Sequence, residues 1–195
     1  MAKLYFKYGS MGSSKTAQAL ITKFNYEEQG MKVWLFKPAI DTRENAPVVR
    51  SRIGLEAEAM LVDSKENLLT LYRKNPYYDV IIVDECQFLT EEQVNQLSEI
   101  TMEYNVPVLC FGLKTDFLTH MFPGSKRLFE IAESISEIKN VCKCGRKATV
   151  NARLDKKGKI ITEGEQIHIG GNDSYQAMCY KCYMEKIREQ NKCKD

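Results

Sequence analysis

Apolar residues recur along the chain in two rhythms, short continuous runs and positions three or four apart. Leu4-Tyr5-Phe6, Val33-Trp34-Leu35-Phe36, Val80-Ile81-Ile82-Val83 and Val106-Pro107-Val108-Leu109-Cys110-Phe111-Gly112 are runs of the first kind. Each is short and β-branched or aromatic, so each reads as a buried strand. Between them, Ala17, Leu20, Ile21 and Phe24 form one helical face, closed by Gly30, and Pro38 stops the second strand. Ala39 to about Glu58 is polar. Met60-Leu61-Val62 reads as a short strand, with Ser64 as the cap of a helix carrying Leu68, Leu69 and Tyr72. Thr90 and Gln93 predict a capping box for a helix with Val94, Leu97, Thr101 and Tyr104 on one side. A loop from Leu113 to Gly124 leads to a further helix with Leu128, Phe129, Ile131, Ala132 and Ile135. This alternation predicts an α/β domain with a mainly parallel sheet over residues 1–141. From Cys142 the segments become short and rich in Gly and Lys, which predicts a small second module over 142–195.

Composition narrows the function classes. A chain of 195 residues has room for one ordinary core with a small appendage. Its 28 Lys and Arg against 26 Asp and Glu leave no polybasic block, so neither nucleic acid nor a membrane surface is an expected partner. The apolar runs are too short to cross a bilayer. Met1-Ala2-Lys3-Leu4 runs straight into the first strand without a signal peptide, and a cytoplasmic location is the expectation. Seven cysteines are an odd number and do not suggest a disulfide framework. Cys86 and Cys110 sit in or beside apolar runs, where cysteine acts as a small hydrophobe, and Cys193 reads as a bystander in a polar tail.

Gly9-Ser10-Met11-Gly12-Ser13-Ser14-Lys15-Thr16 lies between the first strand and the first helix. A strand–loop–helix unit aims backbone N–H groups and a helix N-terminus at one point, the setting of a phosphate-binding P-loop. Lys15 then neutralises the β- and γ-phosphates and the Thr16 hydroxyl coordinates Mg²⁺. Ser14 stands where the usual pattern has its second glycine. The plainer reading is a Gly/Ser turn that happens to precede a helix. Four apolar residues followed by Asp84-Glu85 resemble a Walker B element, with a carboxylate at the end of a strand where ligands bind in parallel sheets. Asp84 is the candidate Mg²⁺ holder and Glu85 the candidate general base. An ordinary acidic turn is the alternative.

Cys142-Lys-Cys144 and Cys179-Tyr-Lys-Cys182 supply four thiolates from two close pairs, the donor set of a closed structural zinc site; the alternative is free thiols. Between the pairs runs Ile167-His168-Ile169-Gly170-Gly171-Asn172-Asp173-Ser174-Tyr175. By itself it reads as a loop, with His168 at a solvent-facing position. Phe117 and Phe122 flank a loop at a strand end and could wall a base pocket, although core packing is the commoner fate of such residues.

In this order, with Asp41-Thr42-Arg43 and Gly112-Leu113-Lys114-Thr115-Asp116-Phe117, these residues closely resemble the zinc-containing (type II) thymidine kinases across nearly the whole chain. The resemblance implies a P-loop domain over 1–141 and a zinc-binding lasso domain over 142–195. It implies transfer of the γ-phosphate of ATP, with Mg²⁺, to the 5′-hydroxyl of thymidine. Glu85 then takes the hydroxyl proton. Gly9 to Thr16, Asp84, Glu85, Cys86, Gln87 and Arg43 border the nucleotide. Phe88, Phe117 and Phe122 enclose thymine, and Gly170, Gly171, Asn172, Asp173, Ser174 and Tyr175 form the lasso that holds the nucleoside and keeps out water. Structural Zn²⁺ on Cys142, Cys144, Cys179 and Cys182 anchors both ends of that lasso. A homotetramer and inhibition by thymidine triphosphate are further expectations of the resemblance. A helicase-like motor, which Asp84-Glu85-Cys86-Gln87 also suggests, needs a longer chain and a strand-binding surface. A non-catalytic zinc-ribbon module leaves Glu85 and the aromatic residues without a purpose.

Overall fold

A computed structural model describes residues 1–41, 47–167 and 175–192. Six parallel strands form one sheet: β1 (Leu4–Tyr8), β2 (Val33–Pro38), β5 (Met60–Val62), β6 (Val80–Val83), β7 (Val108–Gly112) and β8 (Ser134–Glu137). Their order is β5-β2-β6-β7-β1-β8. Side chains alternate between the faces with period two. Phe6, Trp34, Phe36, Ile81, Val83 and Cys110 join one core cluster with Leu68, Leu69, Leu97 and Ile100. Leu35, Val80, Ile82, Leu109 and Phe111 join the other, with Ala19 and Leu20. The parallel sheet is therefore covered on both faces, which is why its strands read as continuous apolar runs. Each fully buried Ile or Val on β6 contributes on the order of 1.5–3 kcal/mol relative to exposure.

The helices are α1 (Lys15–Glu28), α2 (Leu68–Lys74), α3 (Glu91–Tyr104), α4 (Pro123–Ile131) and α5 (Tyr180–Lys192). The capping box on α3 forms in both directions: Gln93 N–H donates to Thr90 Oγ1 at 3.1 Å and Thr90 N–H to Gln93 Oε1 at 3.2 Å. Four expectations need correction. Asn67, not Ser64, caps α2, by accepting the Thr70 N–H at 2.8 Å. Ile21 and Phe24 are exposed (47% and 59%), because α1 covers the sheet through Ala19 and Leu20 while Val49 and Ala59 fill the neighbouring space. Ile135 is not helical: α4 ends at Ile131, and Ile135 pairs with Phe6 in the edge strand β8. The polar stretch after Ala39 holds a small hairpin, β3 (Val48–Arg50) with β4 (Glu56–Glu58).

After Val141, β9 (Val150–Arg153) and β10 (Tyr175–Met178) make a separate antiparallel pair. With α5 they surround a third cluster that includes Cys142, Val150, Ala152, Met178, Cys179 and Tyr183. No helix among the described residues is long and apolar enough to cross a membrane.

Candidate active site and metal centre

Because the six strands are parallel, the segments leaving β1, β6 and β7 emerge at the same edge of the sheet. Gly9 N–H donates to the Gly112 carbonyl at 3.2 Å, which ties the phosphate-loop segment to the end of β7. Ser14 precedes α1 with φ 63° and ψ 25°, the left-handed conformation that the second glycine of such a loop usually supplies. A serine there costs on the order of 1–2 kcal/mol. It makes no side-chain cap, and the first turn of α1 has no acidic residue. The N-terminal N–H groups of α1 thus keep their affinity for an external anion. Lys15 is buried and its Nζ donates to the Ser10 carbonyl at 2.8 Å, folded over the loop.

The two acidic candidates sit apart in role although they are adjacent in sequence. Asp84 Oδ2 accepts the Thr16 hydroxyl at 3.0 Å, so the residues from the loop and from β6 meet at one point. Both are hard oxygen donors, as Mg²⁺ requires. Glu85 has φ 54°, again left-handed, and stands at the start of the 3-10 turn Cys86–Phe88. A non-glycine residue in that region costs about 1–3 kcal/mol and is characteristic of functional sites. Its Oε2 accepts Gln87 Nε2 at 2.5 Å, while Gln87 Oε1 accepts the Leu113 N–H at 2.9 Å. Gln87 therefore orients the Glu85 carboxylate from the end of β7. Cys86 is fully buried in the core, and burial drives its thiol well above the usual range, with Cys110 adding to the effect. Its side chain packs and does not present itself to a nucleotide.

Phe122 precedes α4, and its ring meets Phe88 edge-on, 5.6 Å between centroids. This approach depends on Gly124, where a Cβ would lie 2.6 Å from the Leu89 carbonyl oxygen and 2.7 Å from that of Cys86. Phe117 is buried, with the Arg153 guanidinium 5.4 Å from its ring centre. Its carbonyl accepts the Tyr183 hydroxyl at 3.2 Å, which joins this loop to α5. Tyr175 is partly buried on β10, opposite Arg153. Burial raises its phenol above the usual value, Arg153 opposes that and Asp116 reinforces it. Thus Phe117 and Tyr175 share the neighbourhood of Arg153, while Phe88 and Phe122 pair nearer Glu85. Arg43, Gly170, Gly171, Asn172, Asp173 and Ser174 lie outside the described residues, as do His168 and Cys193.

Several residues outside the candidate site set connect these parts. Asn151 on β9 accepts the Met11 N–H at 2.7 Å and donates to the Thr115 carbonyl at 3.1 Å. Asn140 donates to the Met11 carbonyl at 2.9 Å. Two asparagines thus hold the tip of the phosphate loop from the far end of the chain. Asp116 accepts the Leu118 and His120 N–H groups on one oxygen and Gln166 Nε2 on the other, at 2.8, 2.9 and 2.9 Å. Asp41 is buried 3.3 Å from Lys37 Nζ. With Met11 and Asn151 140 positions apart, no local spacing could have revealed their bond.

The sulfurs of Cys142, Cys144, Cys179 and Cys182 all lie within 4.8 Å of one another, with Cys144 and Cys179 3.6 Å apart. Zn–S bonds of about 2.3 Å imply tetrahedral edges of about 3.8 Å, so the set fits zinc. Gly145 (φ 83°) closes the turn, its N–H going to the Cys142 carbonyl rather than to a sulfur. The backbone N–H of Cys144, outweighing burial, lowers the Cys142 thiol to about 6. Side-chain hydrogen bonds to Cys144 and Cys179, with burial, raise Cys182 to about 12. Four thiols this close together cannot all ionise without a cation among them. Four protein donors leave no open coordination position, so the site is of the structural type.

The family description "thymidine kinase" matches residues 2–183, nearly all of the chain. The chain belongs to the thymidine kinase family. It is 44% identical to the thymidine kinase of Yersinia pestis, over 96% of this chain and 97% of that protein. Identity to the thymidine kinase of Legionella pneumophila strain Lens is 47%, over 92% and 88%. To that of Vibrio cholerae it is 46%, over 96% and 99%. Membership of the thymidine kinase family accounts for a phosphate loop and a buried glutamate at one sheet edge, and for the four-cysteine cluster beyond it.

Proposed function

We propose that this chain transfers the γ-phosphoryl group of ATP to the 5′-hydroxyl of thymidine. The observation that supports this reading most directly is the buried Glu85 carboxylate, oriented by Gln87 one residue from the Asp84–Thr16 contact. A base beside a phosphate site is the arrangement that phosphoryl transfer to an alcohol needs. Thr16 and Asp84 would hold the Mg²⁺ that accompanies ATP, which would supply neutralisation of phosphate charge. The N–H groups of Gly9 to Thr16 and the Lys15 ammonium receive the polyphosphate, with Arg43 proposed as a further cationic contact to it. Glu85 accepts the proton of the 5′-hydroxyl as that oxygen forms its bond to the γ-phosphorus and the bond to ADP breaks.

Phe88, Phe117 and Phe122 flank the thymine, and Gly170 to Ser174 with Tyr175 cover it. Zn²⁺, held by the four cysteines, would tie the two ends of that cover together, which makes 142–195 the zinc-binding lasso module and 1–141 the nucleotide-binding domain. A cytoplasmic homotetramer inhibited by thymidine triphosphate completes the reading.

The test is phosphate transfer from ATP across a nucleoside panel. Thymidine is expected to be the best acceptor, and ATP turnover independent of nucleoside would refute the assignment. Glu85→Gln is expected to lower transfer by about 10²–10⁴-fold with ATP binding retained. Unchanged transfer in that variant would remove Glu85 from the role of base.

A further inference from the structure

Arg52 belongs to no motif in the sequence, yet its guanidinium lies at the phosphate loop. Gly12 at the loop tip has φ +74°, and a Cβ built there would sit 3.8 Å from Arg52 NH1 and 3.6 Å from Asn140 Nδ2. Arg52 is exposed, and makes no hydrogen bond or ion pair with another described residue. Its neighbour Arg50 differs, being paired to Glu56 at 2.8 Å.

The segment that carries Arg52 is a built arm. Val49 of β3 is 1% exposed and packs with Leu20 and Ala59 against the sheet, which fixes the base of the β3–β4 hairpin. At the tip, Ser51 N–H donates to the Leu55 carbonyl at 2.8 Å and Leu55 N–H to Ser51 Oγ at 3.0 Å. Gly54 N–H returns to the Ser51 carbonyl at 3.1 Å. Arg52 therefore projects from a closed turn. The loop it approaches is held in turn by Asn140 and Asn151 through Met11. Two fixed bodies bring a guanidinium, unpaired among the described residues, to the mouth of an anion site.

From this juxtaposition we propose that Arg52 contacts the β- and γ-phosphoryl oxygens of the nucleoside triphosphate and stabilises the charge that builds on them during transfer. The proposal rests on the reading of the loop as the ATP site. A guanidinium suits this task because it stays charged and offers forked donors to phosphate oxygens. Arginines supplied to phosphoryl-transfer sites raise turnover by about 10³–10⁵-fold in the best-studied cases. The exposure of Arg52 sets the expectation lower, at about a hundredfold.

The experiment compares the full-length wild type with Arg52→Ala and Arg52→Lys. ATP affinity is measured by calorimetry with Mg²⁺, thymidine phosphorylation by steady-state kinetics, and melting temperature alongside. Arg52→Ala is expected to bind ATP more weakly and to lose about a hundredfold in kcat. Its KM for thymidine and its melting temperature should match wild type. Arg52→Lys should recover part of the loss, and added guanidinium should partly rescue Arg52→Ala. ATP affinity and kcat within twofold of wild type in Arg52→Ala would overturn the proposal, as would an equal loss explained by a lowered melting temperature. If wild type binds ATP but leaves thymidine unphosphorylated, the acceptor assignment fails while the ATP affinities still decide the role of Arg52. A wild type that binds no ATP would overturn both.

Discussion

The two ends of the candidate site are built on different principles. The phosphate end is assembled from neighbours in sequence: β1, six loop residues and α1, on a sheet buried on both faces. The cysteine module draws its four sulfurs from two pairs, with Cys144 and Cys179 35 positions apart, around a core of eight buried residues. Two of those eight, Cys142 and Cys179, are themselves metal-ligand candidates. So small a core cannot hold itself together by apolar burial alone. The contrast teaches that the phosphate-loop end is secured by the hydrophobic effect, whereas the four-cysteine module has the donor set to be secured by coordination.

Removing the metal tests that contrast most severely. Chelation, or Cys179→Ser, is expected to abolish thymidine phosphorylation while the parallel-sheet domain still binds ATP. Separate early unfolding of residues 142–192 in hydrogen exchange is the matching readout. If both regions instead unfold together, the division is wrong. A smaller effect is expected in the parallel-sheet domain from Gly124→Ala, whose new methyl meets three backbone carbonyls. The expected loss is about 1–3 kcal/mol in denaturant unfolding. A rise in the KM for thymidine should accompany it, since Phe122 moves with α4. The smallest change runs the other way. Ser14→Gly relieves the left-handed backbone and is expected to add about 1 kcal/mol, net of the added freedom of the unfolded chain. That corresponds to about 2–4 °C in melting temperature for a chain of this size.

Legibility in the sequence followed the range of the interactions. β6 and its Asp84-Glu85 ending were readable because a fully buried parallel strand is a continuous apolar run. The α3 capping box was readable because both partners lie within one turn. Ile21 and Phe24 were misplaced because helical spacing identifies an apolar face without telling how much of it the protein covers. The share left to α1 depends on Val49 and Ala59, which approach from another segment. Ile135 was assigned to a helix because four residues of an edge strand carry too little pattern to mark a boundary. Asn140, Asn151 and Arg52 are ordinary polar residues until the chain brings them to the phosphate loop.

By itself the sequence determined the parallel α/β frame, the phosphate loop, the acidic pair at the end of β6 and the four candidate metal ligands. These are properties of short windows, where residue type and spacing fix local geometry. Only the tertiary structure decided that Asp84 meets Thr16, that Gln87 orients Glu85, and that two distant asparagines hold Met11. It also decided that Ser14 adopts the conformation usually left to glycine. The physical reason is the same in each case: strand order and packing set which distant groups meet, and packing can stabilise a backbone conformation that local preference disfavours.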